Sequence, residues 1–257
     1  MIDIKIIIPT YKRAGSVTTA ALVSNAALCV TESEEAEYRE NHPDAEIIVH
    51  PDDVRGLAAK FQWIYERYPN VCMLEDEIYF ISRLYTTSGR VSFRRLTPDE
   101  VYEIIQWCGN MAKLCGCYLF GFNKNPTQMV FDPMVPIKLS GFVTGAAFGL
   151  LEGSGLRFSP ESVGVEDFYI SGMNAYKHRK AFLDLRFNFA QKDTFYARGG
   201  QAEYRTEETE KEGTLYLRRM FGQAVTLKIA KIGRGQKGGG TKFYSHNKYA
   251  RTMTIPF

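Results

Sequence analysis

The sequence lacks long apolar runs and paired cysteines. No stretch approaches the ~20 apolar residues of a membrane span, and the opening residues MIDIKIIIPTYKR lack the long apolar core of a signal peptide. The five cysteines are odd in number and include no CxxC pair. These absences argue against a membrane protein, a disulfide scaffold and a structural zinc site, so we expect a reduced, cytoplasmic protein.

Acidic side chains are missing from the end of the chain. Residues 214–257 contain nine Lys or Arg and no Asp or Glu, although the net charge of the whole chain is only +3. Such a segment is either a solvated basic face or a binding site for an anion, which would be a diphosphate or nucleic acid. The stretch GRGQKGGG within it is too rich in glycine for a helix or strand and predicts a loop.

Strand and helix patterns alternate along the first 80 residues. The helical spacing of apolar residues predicts a helix over residues 54–68, and small apolar residues predict another within residues 16–28. Short apolar runs predict buried strands over residues 4–9, 46–50 and 71–74. This order at short spacing predicts a parallel α/β arrangement.

Further elements are predicted in the rest of the chain. Thr97, Pro98 and Glu100 match a capping box with proline at the first helical position. Other helices are predicted from Glu166 onward and over residues 207–221. Short strands are predicted near residues 117–122, 129–131, 142–150 and 181–191. The chain shows no internal repeat and no clear linker, which favours a single domain.

Polar residues follow the first three predicted strands. Ligands of parallel α/β sheets bind at the carboxyl ends of the strands, where these residues are expected to lie. Any one cluster could be a solvated turn, but the three together favour a ligand with a polar ring and an anion. The clusters are Thr10, Tyr11, Lys12 and Arg13; Asp52 and Asp53; and Glu75, Asp76 and Glu77.

The third cluster, in NVCMLEDEIYF, places three carboxylates directly after an apolar run. Adjacent negative charges repel, and they are costly to hold together without a cation. Oxygen ligands with no nearby Cys or His suit Mg²⁺ or Mn²⁺ better than zinc, and substrate phosphates usually complete such a site. The alternative is a charged loop with Lys or Arg neighbours.

These motifs resemble the nucleotide-binding half of GT-A glycosyltransferases. Such enzymes open with an apolar strand ending in Pro-Thr or Pro-Ser, carry a Gly…Ala-Arg helix, and end the third strand in Asp-x-Asp on a divalent metal. Here the matching stretches are IIIPTYKRAGSV, GLAAKFQWIY and NVCMLEDEIYF, with Lys60 for the usual Arg and Glu for Asp at both ends of the metal motif. The resemblance implies an α/β, GT-A-like (Rossmann-like) mixed sheet with helices on both faces.

The resemblance also implies an organisation and a set of site residues. The single domain over residues 1–257 would comprise a nucleotide-binding half (1–80), an acceptor half (81–213) and a basic C-terminal segment (214–257). Asp167 or Glu166 would be the catalytic base, although acidic residues are also ordinary at a helix start. The Mn²⁺ or Mg²⁺ ligands would be Asp76, Glu77 and His246, the last of which could equally be a surface histidine. The nucleotide sugar would be bound by Pro9, Thr10, Tyr11, Arg13, Asp53, Lys60, Glu75, Asp76, Lys237 and Lys242.

A narrower resemblance concerns the acceptor. IPTYKRAGSVTT, the LEDEI element and the basic end look most like phage-type glycosyltransferases that decorate hydroxymethylated DNA bases, including the set associated with TET/JBP base oxidases. This implies transfer from a UDP-sugar such as UDP-glucose to modified DNA, in the host cytoplasm if the chain is phage-encoded. A small-molecule or glycan acceptor, a nucleotidyltransferase and a non-catalytic DNA-binding protein are the alternatives, and the sequence leaves an inverting or a retaining outcome open.

Overall fold

A nine-stranded mixed sheet with helices on both faces lies at the centre of the protein. The computed structural model describes residues 1–86, 94–191, 200, 206–227 and 251–255. The strands are β1 (Lys5–Pro9), β2 (Ala26–Thr31), β3 (Glu46–His50), β4 (Val71–Leu74), β5 (Ile78–Arg83), β6 (Leu119–Asn123), β7 (Ile137–Lys138), β8 (Ala147–Leu150), β9 (Phe182–Gln191), β10 (Val225–Leu227) and β11 (Arg251–Met253). The helices are α1 (Glu35–Asn41), α2 (Leu57–Arg67), α3 (Pro98–Leu114), α4 (Glu166–His178) and α5 (Glu207–Phe221). Within the described ranges, every helix is too short or too polar to cross a lipid bilayer.

The strand order brings four loops to one edge of the sheet. The order is β3-β2-β1-β4-β8-β6-β9-β5, with β7 paired to β9. β1 is parallel to β2 and β4, β8 is antiparallel to both β4 and β6, and β6 is parallel to β9. The chain therefore leaves β1, β4, β6 and β9 at the same edge, where α/β sheets bind their ligands.

Two apolar cores cover the two faces of the sheet. Successive residues of β1 belong to different cores, since Ile6 and Ile8 pack on the α3 side and Ile7 packs on the side of α2 and α4. All three side chains are at most 1% exposed. A strand covered on both faces must be apolar at every position, which explains the continuous β-branched run.

The last described elements pack onto α4 and extend the same α/β domain. Tyr216 and Leu217 of α5 and Val225 of β10 form a third core with Val165 and Tyr169 at the start of α4. β10 pairs antiparallel with β11, so Leu227 faces Arg251 across the ladder. Both strands therefore lie against the start of α4, through Val225 and Met253.

Most predicted elements are confirmed, and two are wrong. The strands Glu46–His50 and Val71–Leu74 and the helix Glu207–Phe221 have the predicted bounds. The helix predicted within residues 16–28 is instead a short 3₁₀ turn followed by strand β2, because a strand buried on both faces shows no period that separates it from a buried helix. The strand predicted at residues 129–131 is also wrong, since Gln128–Val130 forms a 3₁₀ turn.

The packing of β8 gives a first testable prediction. Gly149 faces the ring of Phe120, and a Cβ atom at this position would lie 2.0 Å from the ring. We expect Gly149→Ala to lower the free energy of unfolding by about 3 kcal/mol, near the upper end of overpacking costs. Gly145→Ala is the matched control, because its Cβ would meet no atom closer than 3.4 Å. Urea denaturation compares the two variants, and equal stability would show that the ring moves aside without cost.

Candidate active site

The loop after β1 is tied to the acidic triplet after β4 by buried hydrogen bonds. The Thr10 hydroxyl, which is 3% exposed, donates to Oδ2 of Asp76 over 2.7 Å and lies 2.9 Å from the Tyr38 hydroxyl. The Tyr38 hydroxyl in turn accepts from the backbone N–H of Arg13, and the buried Lys60 ammonium donates to the Thr10 carbonyl. Because each donor has an acceptor, these bonds hold the loop in one conformation.

The acidic triplet binds a cation of the chain itself. Nη1 of Arg13 lies 2.6 Å from Oδ1 of Asp76 and 3.1 Å from Oε2 of Glu77. The side chains of Arg13, Asp76 and Glu77 are only 10%, 8% and 13% exposed. Burial alone would lower the pKa of Arg13, but the carboxylates outweigh it and raise that pKa above its ordinary value. The Arg13 guanidinium is therefore one cation that lies among these carboxylates.

Glu75 shows that one guanidinium does not balance the cluster. Its carboxylate is half-buried and accepts a hydrogen bond from Nε2 of Gln191, the last residue of β9. Burial, followed by the charges of Glu77, Asp76 and Asp167, raises the pKa of Glu75 to about 8. Burial is the main cause of this raised pKa and the three neighbouring carboxylates add to it, so a cation at this position would favour the charged form of Glu75.

Asp167, in the first turn of α4, lies beside this cluster. Its Oδ2 accepts from the backbone N–H of Gly145 over 3.3 Å, and its Oδ1 accepts from Phe168 over 2.8 Å. A Cβ atom at Gly145 would lie 3.4 Å from Oε1 of Glu75 and 3.7 Å from Oδ2 of Asp167. The two carboxylates therefore flank Gly145, which brings Asp167 next to the first residue of the triplet.

Glu166 lies in a different environment from Asp167. It is 6% exposed, and its Oε1 accepts from the backbone N–H of Gly164 in the turn before α4. The carbonyl of Gly164 accepts in turn from Nη2 of Arg251, which also binds Oε2 of Glu210 over 2.9 Å. This buried ion pair stabilises the turn before α4, and Glu166 stabilises the same turn through its bond with Gly164. Asp167, in contrast, is half-buried beside Glu75.

Four of the predicted nucleotide-sugar ligands lie near the ends of β1 and β3 or, in the case of Lys60, on α2 beside them. The ring of Tyr11 lies 5.1 Å from Nζ of Lys12 and 5.8 Å from Nζ of Lys60. Burial lowers the pKa of Lys60. Asp53 is exposed in the turn after β3, and Pro9 is the buried last residue of β1. These residues are positioned at the ligand edge of the sheet, as the sequence predicts.

Three predicted ligands cannot be located. Lys237, Lys242 and His246 lie outside the described residues. In the described part of the chain, no three His, Cys, Asp or Glu side chains are grouped so that they could hold a metal ion by themselves. The two predicted ligands that are described, Asp76 and Glu77, nevertheless fit Mn²⁺ or Mg²⁺, because such ions are usually bound by one or two carboxylates together with substrate phosphates.

Three residues that shape the site, Tyr38, Gly145 and Gln191, were not predicted, and Arg251 of the basic end is bound to Glu210 instead of being available to a diphosphate. Tyr38 and Arg251 carry no local signal, because each acts on a partner distant in sequence, such as Thr10 or Gly164. Gly145 lies in a stretch that gives no motif. Gln191 could have been found, since it is a polar residue at the end of a predicted strand.

Comparison with known proteins yields one family match. A family model described as TET-Associated Glycosyltransferase matches residues 4–200, a range that includes the acidic triplet and α4 and ends before α5. No curated protein matches the chain. A crystal structure of S. aureus TarS 1–349 is similar with a TM-score of 0.48 and 9% identity, over 86% of this chain and 73% of that chain.

Proposed function

Since the chain belongs to the TET-associated glycosyltransferase family, and is therefore a glycosyltransferase, we propose that it moves a sugar from a nucleotide sugar to a hydroxymethylated base in DNA. A UDP-sugar such as UDP-glucose is the proposed donor, and phage DNA is the proposed acceptor. The observation that carries the proposal is the position of Asp167 beside the acidic triplet, at the edge where the chain leaves β1 and β4.

The donor would lie along the ends of the first strands. The nucleoside would contact Tyr11, Asp53 and the loop after Pro9, with Thr10 and Lys60 holding that loop in place. Its diphosphate would extend toward the acidic triplet. Lys237 and Lys242, from the basic segment of the sequence, are proposed to contact the diphosphate as counter-charges.

Residues of the acidic triplet would hold a divalent cation for the donor diphosphate. Glu77 and Asp76 are the proposed ligands, with His246 as a third. Both carboxylates contact Arg13, but Asp76 also holds the loop after β1 through Thr10, so a substitution of Glu77 tests metal binding with less disturbance of that loop. When bound, Mn²⁺ or Mg²⁺ would stabilise the negative charge that develops on the leaving diphosphate.

Asp167 would act as the general base. The hydroxymethyl oxygen of the acceptor attacks the anomeric carbon, the bond from that carbon to the diphosphate breaks, and the hydroxyl proton passes to the Asp167 carboxylate. If the acceptor approaches from the side opposite the diphosphate, the configuration is inverted. Glu75, beside Asp167, would limit the space for the acceptor at Gly145.

The acceptor proposal is tested with DNA itself. A panel of nucleotide sugars is incubated with oligonucleotides that carry 5-hydroxymethyl bases, and mass spectrometry detects the added sugar. A mass increase on modified DNA, with none on an unmodified oligonucleotide of the same sequence, is the expected result. Transfer to a glycan or to a small hydroxyl compound alone would replace the DNA acceptor while leaving the glycosyltransferase assignment intact.

The metal proposal predicts a selective loss in Glu77→Gln. We expect calorimetry to show UDP binding that depends on Mn²⁺ in the parent protein and is lost in Glu77→Gln, because the amide carries no charge for the cation. Glu35→Gln, at a surface ion pair on α1, is the control and should bind UDP like the parent. If Glu77→Gln binds UDP equally well with and without EDTA, Glu77 is not a metal ligand.

A further inference from the structure

The loop that follows β6 exposes three large apolar side chains. Met129, Val130 and Met134 are 93%, 58% and 86% exposed, and they lie within six consecutive residues. Isolated apolar residues are common on protein surfaces, but a contiguous exposed group usually marks a contact with a partner. The Asp132 carboxylate in this loop accepts from the backbone N–H of Met134, so it shapes the loop itself.

Two guanidinium groups border this loop. The Cζ atoms of Arg94 and Arg95 lie 5.9 Å and 5.5 Å from the ring centre of Phe80 in β5. Nη2 of Arg94 donates to the carbonyl of Pro126, which links this pair of arginines to the loop after β6. The buried Nε of Arg94 has no hydrogen-bond acceptor among the described residues. The hydrogen bond to Pro126 places Arg94 at the loop that carries the exposed apolar side chains, three residues before Met129.

This surface lies at the ligand edge of the sheet. The chain leaves β4 and β6 at the same edge, and β4 ends at the acidic triplet. Phe80 pairs with Ala190 of β9, one residue before Gln191, which binds Glu75. The exposed loop and the arginines are thus neighbours of the proposed active site rather than parts of a remote surface.

We propose that this surface, called the Met–Arg surface and comprising Phe80, Arg94, Arg95, Met129, Val130 and Met134, binds DNA beside the base that accepts the sugar. The proposal rests on the proposed function and adds the surface that carries the acceptor. The two guanidinium groups bind backbone phosphates, and the apolar side chains enter the base stack where the acceptor base leaves it. An enzyme that modifies a base in a duplex must extract that base, and flexible apolar wedges lower the cost of unstacking.

Charge and shape both favour DNA as the occupant. Arg94 and Arg95 are positively charged, and Lys124 and Lys138 precede and follow the loop in the sequence. A neutral glycan would leave the guanidinium groups without counter-charges, whereas a phosphate backbone supplies them at regular spacing. The exposed methionines are unbranched apolar side chains, a shape that proteins can insert between base steps.

The test uses a duplex with 2-aminopurine next to a 5-hydroxymethyl base, because the fluorescence of 2-aminopurine rises when it is unstacked. Anisotropy of a labelled copy gives the affinity over a range of salt concentrations. The test variants are Met129→Gln with Met134→Gln, and Arg94→Gln with Arg95→Gln. Matched controls are Leu114→Gln, a 79% exposed apolar residue at the far end of α3, and Arg157→Gln, whose side chain is 77% exposed.

The two double variants should lose different parts of DNA binding. The methionine variant should keep its salt dependence and lose the fluorescence increase. The arginine variant should bind more weakly, and its slope of log affinity against log salt should flatten by about 1 for each guanidinium removed. Both should bind UDP with Mn²⁺ like the parent, as should the controls.

Several outcomes would overturn the assignment. If both double variants bind and unstack DNA like the parent, the Met–Arg surface is not the DNA site. The same holds if only a variant with Arg234, Lys237 and Lys242 replaced by Ala loses affinity, because binding then belongs to the basic segment. If the parent binds UDP and does not bind DNA, the Met–Arg surface proposal fails, while donor binding is retained. If the parent protein itself does not bind UDP, the proposed donor is wrong.

Discussion

Asp167→Asn is expected to lower the rate of sugar transfer by about 10²–10⁴-fold, the usual contribution of a general base. Asparagine has nearly the same size and can still accept one of the two backbone hydrogen bonds that Asp167 accepts from Gly145 and Phe168. It cannot take up the proton of the acceptor hydroxyl. Single-turnover transfer measures the loss, and calorimetry with UDP should show that the donor still binds.

Glu166→Gln is the matched control for this experiment. The neighbouring carboxylate is buried and accepts from the backbone N–H of Gly164, a bond that the glutamine oxygen can also accept. We therefore expect a far smaller effect on transfer than in Asp167→Asn. If Asp167→Asn transfers sugar at nearly the parent rate, Asp167 is only an acidic residue at a helix start. If Glu166→Gln loses most of its transfer activity, Glu166 is the general base.

Asp76→Ala is expected to lower the free energy of unfolding by about 3–5 kcal/mol, the typical cost of removing one partner of a buried ion pair. The Arg13 guanidinium would remain 10% exposed with only Glu77 as its acidic contact in the triplet. The Thr10 hydroxyl would also lose its acceptor. Chemical denaturation monitored by far-UV circular dichroism measures this loss.

A double variant separates the ion pair from the other roles of Asp76. Arg13→Met combined with Asp76→Ala removes both charges, so the combined loss should be smaller than the sum of the two single losses. A loss below about 1 kcal/mol in Asp76→Ala would mean that the pair contributes no more than a surface ion pair. Because Asp76 supports the loop after β1, a loss of UDP binding in Asp76→Ala would not identify a metal ligand, and Glu77→Gln is the cleaner test of that role.

Several helices and strands could be predicted from the sequence because interactions between residues close in sequence determine them. The capping box of Thr97 and Glu100 uses residues three positions apart, and helix α3 begins at Pro98 as predicted. The sequence also predicts strands β3 and β4 and helix α5 with their observed bounds, because the apolar pattern of each element is contained within that element. The short motifs at the ends of β1 and β4 also predicted the glycosyltransferase family that the family match confirms.

The roles of the charged residues depended on contacts between distant parts of the chain. The sequence by itself determined that three carboxylates would follow β4, but it left open whether a metal ion or a basic side chain would neutralise them. Tertiary structure brought Arg13 onto Asp76 across 63 positions, and it placed Asp167 beside Gly145 and Glu75. The physical reason is that the interaction energy of charges depends on their distance and burial in space, and neither quantity is set by the residues next to them in the sequence.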